Sequence, residues 1–286
     1  MSARPDRRRD AADAIFADEV GIEYGVYGAF RLRSAYQPIF TPRSGTLTAV
    51  AVEGLIEPHR AGRPVAPPVF FDGIAAADRL FVETMCRMLH LRNFRNIGVE
   101  GLDLFFNYNP LVNDHLGRAL AEIRLMTRHL GDFDLHPGML VCEITEQAAD
   151  DKVLVSLVHE MRRHGIRIAI DDFGTRHSTE ERIALLSPDI VKIDGTWFAQ
   201  FCRHAAAERF FRPLVSMLHD RGAKVLVEGI EQSVHLRVAL DGGVDLLQGF
   251  HLARPALAGT IFNEEPLSIE ALLGMDNKVV PLHQRR

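Results

Sequence analysis

The chain has 286 residues, of which 47% are hydrophobic and 25% charged, an ordinary composition for a globular protein. A net charge of −5 argues against general binding to nucleic acid or acidic membranes, and no apolar run approaches the roughly 20 residues that span a bilayer. The three scattered cysteines lack metal-ligand spacing and no secretory signal is evident, so we expect a cytoplasmic protein.

Strand-like runs alternate with longer amphipathic stretches after residue 30. Residues 1–30 lack a strong period, and we expect an extension or an N-terminal helix there. Strands are predicted at 35–40, 47–56, 102–108, 139–145, 167–173, 189–194, 223–229 and 246–250. Helices are predicted at 71–95, 112–130, 149–164, 178–186, 196–221, 231–241 and 266–274. The alternation is typical of parallel βαβ units.

The first two predicted strands are separated by a short turn-like segment at 41–46, which contains Pro42 and Gly45. We therefore expect the fold to open with an antiparallel pair. The strands at 167–173 and 223–229 are apolar almost to their ends, so both their faces must be covered, as in a barrel or a doubly wound sheet. No linker is evident, and we predict one domain over residues 31–286.

Seven apolar runs end in a polar residue that could hold a metal ion or move a proton. The residues are Glu53, Asn107, Glu143, Asp171 with Asp172, Lys192, Glu228 and Gln248. Carboxylates are rarely buried unless they are paired or bound to metal. Because the C-terminal ends of barrel strands converge on one face, this series predicts an active site.

The acidic strand ends and the Asn107 carboxamide offer only oxygen donors, which suit Mg²⁺ or Mn²⁺. Neither Cys nor His belongs to the set, which argues against Zn²⁺. Asp171 and Asp172 are adjacent, so one carboxylate could bridge two ions while the other holds the second. Two ions about 3.5–4 Å apart suit attack on a phosphodiester.

Lysine is rare in this chain, since only four of the 33 basic residues are lysines. A lysine offers a compact ammonium whose pKa shifts readily on burial. Lys192 could neutralise a non-bridging phosphate oxygen or orient the attacking water. Glu228 and Gln248 follow the next two strands and could bind the second ion or its waters.

The order and spacing of these motifs resemble those of the EAL-domain phosphodiesterases, which hydrolyse the bacterial messenger cyclic di-GMP to linear pGpG. The resemblance runs from Tyr36 to Pro255, with Gly54 in place of the alanine of the name motif. The matching segments are Glu53-Gly54-Leu55, Asn107, Glu143-Ile144-Thr145-Glu146, Asp171-Asp172-Phe173-Gly174, Lys192-Ile193-Asp194, Glu228-Gly229-Ile230-Glu231 and Gln248-Gly249. The resemblance implies an α/β fold, a TIM-like (β/α)8 barrel with an antiparallel first strand, and a homodimer.

The resemblance also implies a role for each matching residue. The ligands of two Mg²⁺ or Mn²⁺ ions would be Glu53, Asn107, Glu143, Asp171, Asp172 and Glu228. The catalytic groups would be Glu53, Asp171, Lys192 and Glu228, with Lys192 contacting the water nucleophile. The residues lining cyclic di-GMP would be Gln37, Leu55, Gln248, Arg254 and Pro255, and Glu146 would anchor the loop after the Asp pair.

Two departures from the family pattern concern substrate binding and regulation. Glu57 stands where the family usually carries an arginine that grips a substrate phosphate, and a carboxylate there would repel the phosphate. Residues 176–180 replace a family loop that couples the metal site to dimerisation. One hypothesis is that Arg176 supplies the missing phosphate contact.

Three classes of protein are alternatives to a phosphodiesterase. The first is a catalytically weak or inactive cyclic di-GMP receptor, or an interaction module with a regulatory partner protein. Either would account for Glu57 and the altered loop. A receptor, however, would be expected to lose metal ligands as well. A retaining glycosidase would use Glu143 and Glu228 but explains neither the Asp pair nor Lys192. A kinase is dismissed, since no glycine-rich loop precedes the Asp-Phe-Gly segment.

Overall fold

The computed structural model describes residues 10–110, 116–144, 150–173, 180–204 and 207–274, without the side chains of residues 172, 180, 207 and 208. The strands are β1 (Ile15–Ala17), β2 (Glu23–Tyr27), β3 (Phe30–Arg43), β4 (Thr46–Arg60), β5 (Arg63–Pro64), β6 (Asp103–Tyr108), β7 (Leu140–Ile144), β8 (Arg167–Phe173), β9 (Ile190–Ile193), β10 (Lys224–Val227), β11 (Leu246–Leu247), β12 (Ala256–Leu257) and β13 (Leu267–Ser268). The α-helices are α1 (Pro67–Asp72), α2 (Arg79–Asn93), α3 (Leu116–Arg128), α4 (Asp151–Arg163), α5 (Glu180–Leu186), α6 (Gly195–Phe201), α7 (Ala207–Asp220), α8 (Ser233–Gly242) and α9 (Ile269–Gly274). None of these described helices combines the length and the apolar character that crossing a membrane requires.

Eight strands follow one another in the order β3-β11-β10-β9-β8-β7-β6-β4, and β3 also pairs with β4. This is the strand order of a TIM-like (β/α)8 barrel. The first of these strands runs against its neighbour, since Leu247 of β11 lies opposite Phe40 of β3 in an antiparallel pairing. By contrast, β8, β9, β10 and β11 pair in parallel. The predicted α/β barrel with an antiparallel first strand is confirmed.

All eight predicted strands are present, but two predicted helices are wrong in their extent. The helix expected at 196–221 is divided into α6 and α7, and α6 begins where the Asp194 carboxylate accepts a hydrogen bond from the Trp197 backbone N–H at 2.7 Å. The helix expected at 71–95 is divided between α1 and α2. α1 begins early because Pro67 occupies its first position, where a missing N–H costs nothing.

The N-terminal segment contains antiparallel strands. β1 pairs with β2, and β2 pairs with β3, so that Tyr24 lies between Phe16 and Arg33. The Asn93 side chain at the end of α2 bonds to both backbone groups of Glu23, at 2.9 Å and 2.7 Å. The alternative of an N-terminal helix is therefore wrong for residues 15–27, and the domain boundary at residue 31 remains a prediction.

The chain divides into two compact units, the first formed by the described residues of 1–37, 52–168 and 255–262. Its β6 and β7 form a parallel pair in which all of β7 is buried and β6 is buried from Leu104 to Phe106 and again at Tyr108. A second apolar cluster packs around α2 and includes Leu32, Phe70 and Met85. Strands buried on both faces must remain apolar until they end, because an unpaired polar group inside would be costly.

The second unit is formed by the described residues of 38–51, 169–254 and 263–274. After β9, β10 and β11 the backbones come into direct contact, since a Cβ atom on Gly195 would lie 2.8 Å from the Gly229 Cα. A Cβ atom on Gly249 would overlap the Ile230 backbone. Glycine at these positions lets the segments after the strands approach one another, and Gly229 also has a positive φ of 64°.

Candidate active site

Two of the predicted metal ligands lie side by side in the first unit. Asn107 on β6 is the register partner of Glu143 on β7. Register partners on parallel strands share a face of the sheet, and neighbouring strands are about 4.8 Å apart. Both oxygen-bearing side chains therefore project the same way, and β4, which carries Glu53, is the next strand beyond β6.

The burial of these residues fits a hard divalent cation. Glu143 is 0% exposed and Glu53 is 8% exposed, whereas Asn107 is open to solvent. A carboxylate in the interior requires hydrogen bonds or a cation to offset its lost hydration. Because the donors are all oxygens, Mg²⁺ or Mn²⁺ would suit them.

The complete two-ion ligand set remains a prediction. No group of three or more His, Cys, Asp or Glu side chains that could hold a metal is found within the described part of the chain. Asn107 offers a carboxamide and so stands outside that set of residue types, and the side chain of Asp172 is not described. Glu146 and residues 176–179 of the altered loop also lie outside the described residues.

Packing against α2 explains why position 54 of the name motif is a glycine. A Cβ atom on Gly54 would lie 2.8 Å from Cγ of His90, a buried residue of α2. The His90 Nδ1 is 3.0 Å from Ser34 Oγ, and the Tyr36 hydroxyl donates to the His90 carbonyl at 2.6 Å. Burial, and to a smaller extent the charge of Arg87, lowers the pKa of His90 to about 3, so its ring is neutral at pH 7.

Gly54→Ala is expected to lower the free energy of unfolding by about 1–3 kcal/mol, because the new methyl group overlaps the fixed His90 ring. Urea denaturation followed by circular dichroism measures the change. Gly117→Ala is the matched control, since no atom of the described residues lies within 4 Å of its Cβ position in α3 and alanine favours helix. A Gly54→Ala protein as stable as the wild type would contradict this account.

In the second unit, Lys192 is a buried cation between two carboxylates. Its Nζ lies 2.7 Å from Glu228 Oε1 and 3.5 Å from Asp171 Oδ1. The Lys192 side chain is 1% exposed, whereas those of Asp171 and Glu228 are 15% and 22% exposed. An ammonium group is tolerated in such a position only with charged partners. The structure thus brings three predicted catalytic residues into contact.

The predicted Asp pair lies at an irregularity of β8. The parallel register of β8 with β9 shifts between Ile170 and Phe173, so that Asp171 and Asp172 together stand opposite Lys192 alone. Adjacent residues of a regular strand point to opposite faces, whereas a β-bulge redirects side chains and is common beside active sites. The periodicity of the sequence did not reveal this bulge.

A cavity of about 440 Å³ opens beside Glu228 in the second unit. Its lining residues are Asp194, Gly195, Thr196, Ala199, Gln200, Arg203, Glu228, Gly229 and Glu231. The lining side chains include acids and the Arg203 cation. Gln200 and Arg203 were missed in the sequence, because nothing local distinguishes them from other polar residues around a short helix.

The residues predicted to line the nucleotide differ in their surroundings. Gln37 and Gln248 are buried, Leu55 and Pro255 are half-buried, and Arg254 is exposed. The Gln248 backbone is held on both sides, because its N–H donates to the Val227 carbonyl at 2.9 Å and its carbonyl accepts from Ile230 at 3.0 Å. The Arg254 guanidinium lies 4.6 Å from the centre of the Phe250 ring. Their contacts with a nucleotide remain predictions.

Glu57, the residue that replaces the family arginine, contacts a neighbour on its own strand. Its Oε1 is 3.0 Å from the His59 Nε2, and its side chain is 38% exposed. The His59 Nδ1 also lies 3.3 Å from the Glu57 carbonyl oxygen. A carboxylate at this position therefore has a local partner and remains partly open to solvent.

Comparison with known proteins assigns the family. The family described as EAL domain matches residues 28–255. The chain therefore belongs to the EAL domain family, and the predicted resemblance is confirmed.

The chain is also similar to individual proteins. It is 28% identical over 224 residues to the signaling protein YkoW of Bacillus subtilis, an alignment covering 77% of this chain and 28% of YkoW. It is 30% identical over 151 residues to PdeA of Escherichia coli, named a probable cyclic di-GMP phosphodiesterase, covering 52% of this chain and 20% of PdeA. The chain thus spans less than a third of either relative.

Among solved structures, the B. subtilis YkuI protein, with an EAL domain, has a TM-score of 0.71 and 26% sequence identity. That match covers 84% of this chain and 59% of the YkuI chain, which was crystallised with its substrate c-di-GMP and calcium. The comparisons thus agree with the barrel described above.

Proposed function

We propose that this chain holds divalent cations and hydrolyses cyclic di-GMP to linear pGpG. The observation that carries the proposal is the buried Lys192 ammonium, held between the carboxylates of Asp171 and Glu228. An apolar side chain would fill that volume without the cost of burying a charge, so packing alone does not account for it. The names of PdeA and of the YkuI complex support cyclic di-GMP as the substrate.

The site residues would have two kinds of role, binding the metal ions and handling protons. The ions, when bound, would activate a water and stabilise the attacking and leaving oxygens. Their ligands would be Glu53, Asn107, Glu143, Asp171, Asp172 and Glu228. Lys192 would donate a hydrogen bond to the attacking water or to a phosphate oxygen, and the bond from Lys192 to Glu228 would hold that carboxylate in position to accept a proton. A homodimer and a cytoplasmic location remain predictions.

The direct test is incubation of the purified chain with cyclic di-GMP and Mn²⁺, with pGpG followed by chromatography. We expect pGpG to form, and to stop forming when EDTA removes the ions. Tight binding of cyclic di-GMP without turnover would support a receptor instead. If the chain neither binds nor hydrolyses cyclic di-GMP, both proposals fail.

The position of Glu57 favours the receptor as the second candidate. A carboxylate with 38% exposure, at a position where a phosphate would be gripped, lowers the affinity for a dianionic substrate by repulsion. The His59 contact would moderate that repulsion only when the imidazole is protonated. The retained acidic strand ends and the Lys192 contacts favour the enzyme.

Glu57→Arg is expected to strengthen cyclic di-GMP binding by at least about tenfold, because a charge-assisted hydrogen bond contributes about 1.5–3 kcal/mol and the repulsion disappears. Calorimetry in the presence of Ca²⁺ gives the dissociation constant, with pGpG followed in the same sample. Glu57→Gln removes the repulsion without adding a cation, so its gain should be smaller. Equal affinity in all three proteins would point to another phosphate-binding group, such as Arg176.

A further inference from the structure

A charged network in the first unit lies against the end of β6, directly after Asn107. The Asn109 side-chain amide donates to Glu83 Oε1 at 3.3 Å, and the Arg87 guanidinium lies 4.8 Å from the centre of the Tyr108 ring. Glu83 and Arg87 are one turn apart on α2. Tyr108 and Asn109 are thus contacted by two side chains from one face of α2.

Arg87 is buried, and its charge is compensated by several groups. Its Nη2 lies 3.5 Å from Glu122 of α3, and Glu83 is one turn away on its own helix. Burial raises the pKa of Glu83, while Arg87 and the hydrogen bond from Asn109 lower it. A buried ion network of this kind is seldom more stabilising than apolar packing of the same volume, so it requires a reason beyond stability.

The network contacts the two residues that follow Asn107, at the end of the ladder between β6 and β7. Asn107 and Glu143 are register partners, and Tyr108 with Ile144 forms the next pair. Holding Tyr108 and Asn109 consequently fixes the end of the ladder that sets the Asn107 carboxamide beside Glu143.

We propose that Glu83 and Arg87 are positioning residues that fix the end of β6 and thereby set the affinity of Asn107 and Glu143 for a divalent cation. The inference rests on the proposed function, because it takes these two residues as metal ligands. Groups that orient metal ligands typically change metal affinity by 10–100-fold when they are removed, about the scale expected here.

The test is titration of the substrate-free protein with Mn²⁺, followed by electron paramagnetic resonance of the free ion. Glu83→Leu and Arg87→Met should each raise the Mn²⁺ dissociation constant about tenfold. Glu83→Gln should bind like the wild type, because its amide oxygen still accepts from Asn109. Arg87→Lys, a milder change, keeps the charge but loses the planar stacking on Tyr108 and should fall in between.

Arg92→Met is the matched control on the same helix. Arg92 also forms an ion pair, at 3.2 Å to Glu23, and also lies over an aromatic ring, 5.4 Å from the centre of Phe133. Its loss should lower the melting temperature as much as Arg87→Met does, without changing Mn²⁺ affinity well below melting. If Glu83→Leu and Arg87→Met bind Mn²⁺ like Arg92→Met, their role is purely structural and the proposal is wrong.

Assays of the wild-type protein distinguish a failure of the proposed function from a failure of the positioning role. A wild-type protein that binds Mn²⁺ but does not hydrolyse cyclic di-GMP would overturn the proposed enzymatic activity. The Mn²⁺ titrations of the variants would still decide whether Glu83 and Arg87 position the metal ligands. A wild-type protein that does not bind Mn²⁺ would overturn both.

Discussion

Lys192→Met is expected to lower kcat for cyclic di-GMP by about 10²–10⁴-fold, the contribution of a well-placed proton-handling group. The ammonium is the buried partner of both Glu228 and Asp171, so its loss leaves Glu228 without the group that orients it. Metal affinity should stay the same or rise, because a cation that repels the ions has been removed. Steady-state kinetics and Mn²⁺ titration of the same preparation separate the two effects.

Lys224→Met is the matched control for this change. Lys224 is on the adjacent strand β10 but is exposed, so methionine should leave kcat within the error of the assay. A Lys192→Met protein that keeps wild-type kcat would remove Lys192 from the mechanism. A fall in Mn²⁺ affinity as large as the fall in kcat would instead assign Lys192 to holding the metal ligands in place.

Asp171→Asn should reduce turnover by about 10²–10³-fold, the contribution to kcat that a single electrostatic group in an active site commonly makes. The change keeps the size of the side chain but removes the negative charge proposed to bridge two ions. Mn²⁺ binding should weaken in parallel, which distinguishes this variant from Lys192→Met. Lys192 would keep its 2.7 Å contact with Glu228, so the fold should be preserved.

Asp245→Asn provides the control for Asp171→Asn. The Asp245 carboxylate lies in the same unit, where it accepts a hydrogen bond from the Val225 backbone N–H and contacts the His219 Nε2, each at 2.8 Å. Removing its charge should lower stability without changing Mn²⁺ affinity. Wild-type turnover in Asp171→Asn would refute the bridging role, and loss of Mn²⁺ binding in Asp245→Asn would show that the metal assay reports general destabilisation.

The strand series and the fold class were predictable from the chain alone. An apolar run that ends in a polar residue is a local feature, because a strand buried on both faces admits a charge only where it ends. The positions of Asn107, Glu143 and Lys192 near strand ends followed from this rule. Glu53 was also predicted at a strand end, but this was wrong, because β4 continues to Arg60 and Glu53 lies in its middle. The N-terminal strands were missed because their short runs show no clear period.

Features that depend on contacts between distant residues came only from the folded chain. The register that sets Asn107 beside Glu143 depends on how β6 and β7 slide along each other, which neither strand specifies alone. The same holds for His90, which occupies the space beside Gly54 from a helix 36 residues later along the chain. Such pairings arise from packing between elements.

The polar strand ends, and hence the oxygen-rich chemistry of the site, are thus local properties of this chain. The arrangement of those groups was settled by folding: the bulge at Asp171, the two partners of Lys192, and the contacts of Glu83 and Arg87 with the end of β6. The physical reason is that residue type controls where a charge can stand along a strand. Which charges then meet is controlled by register and helix packing.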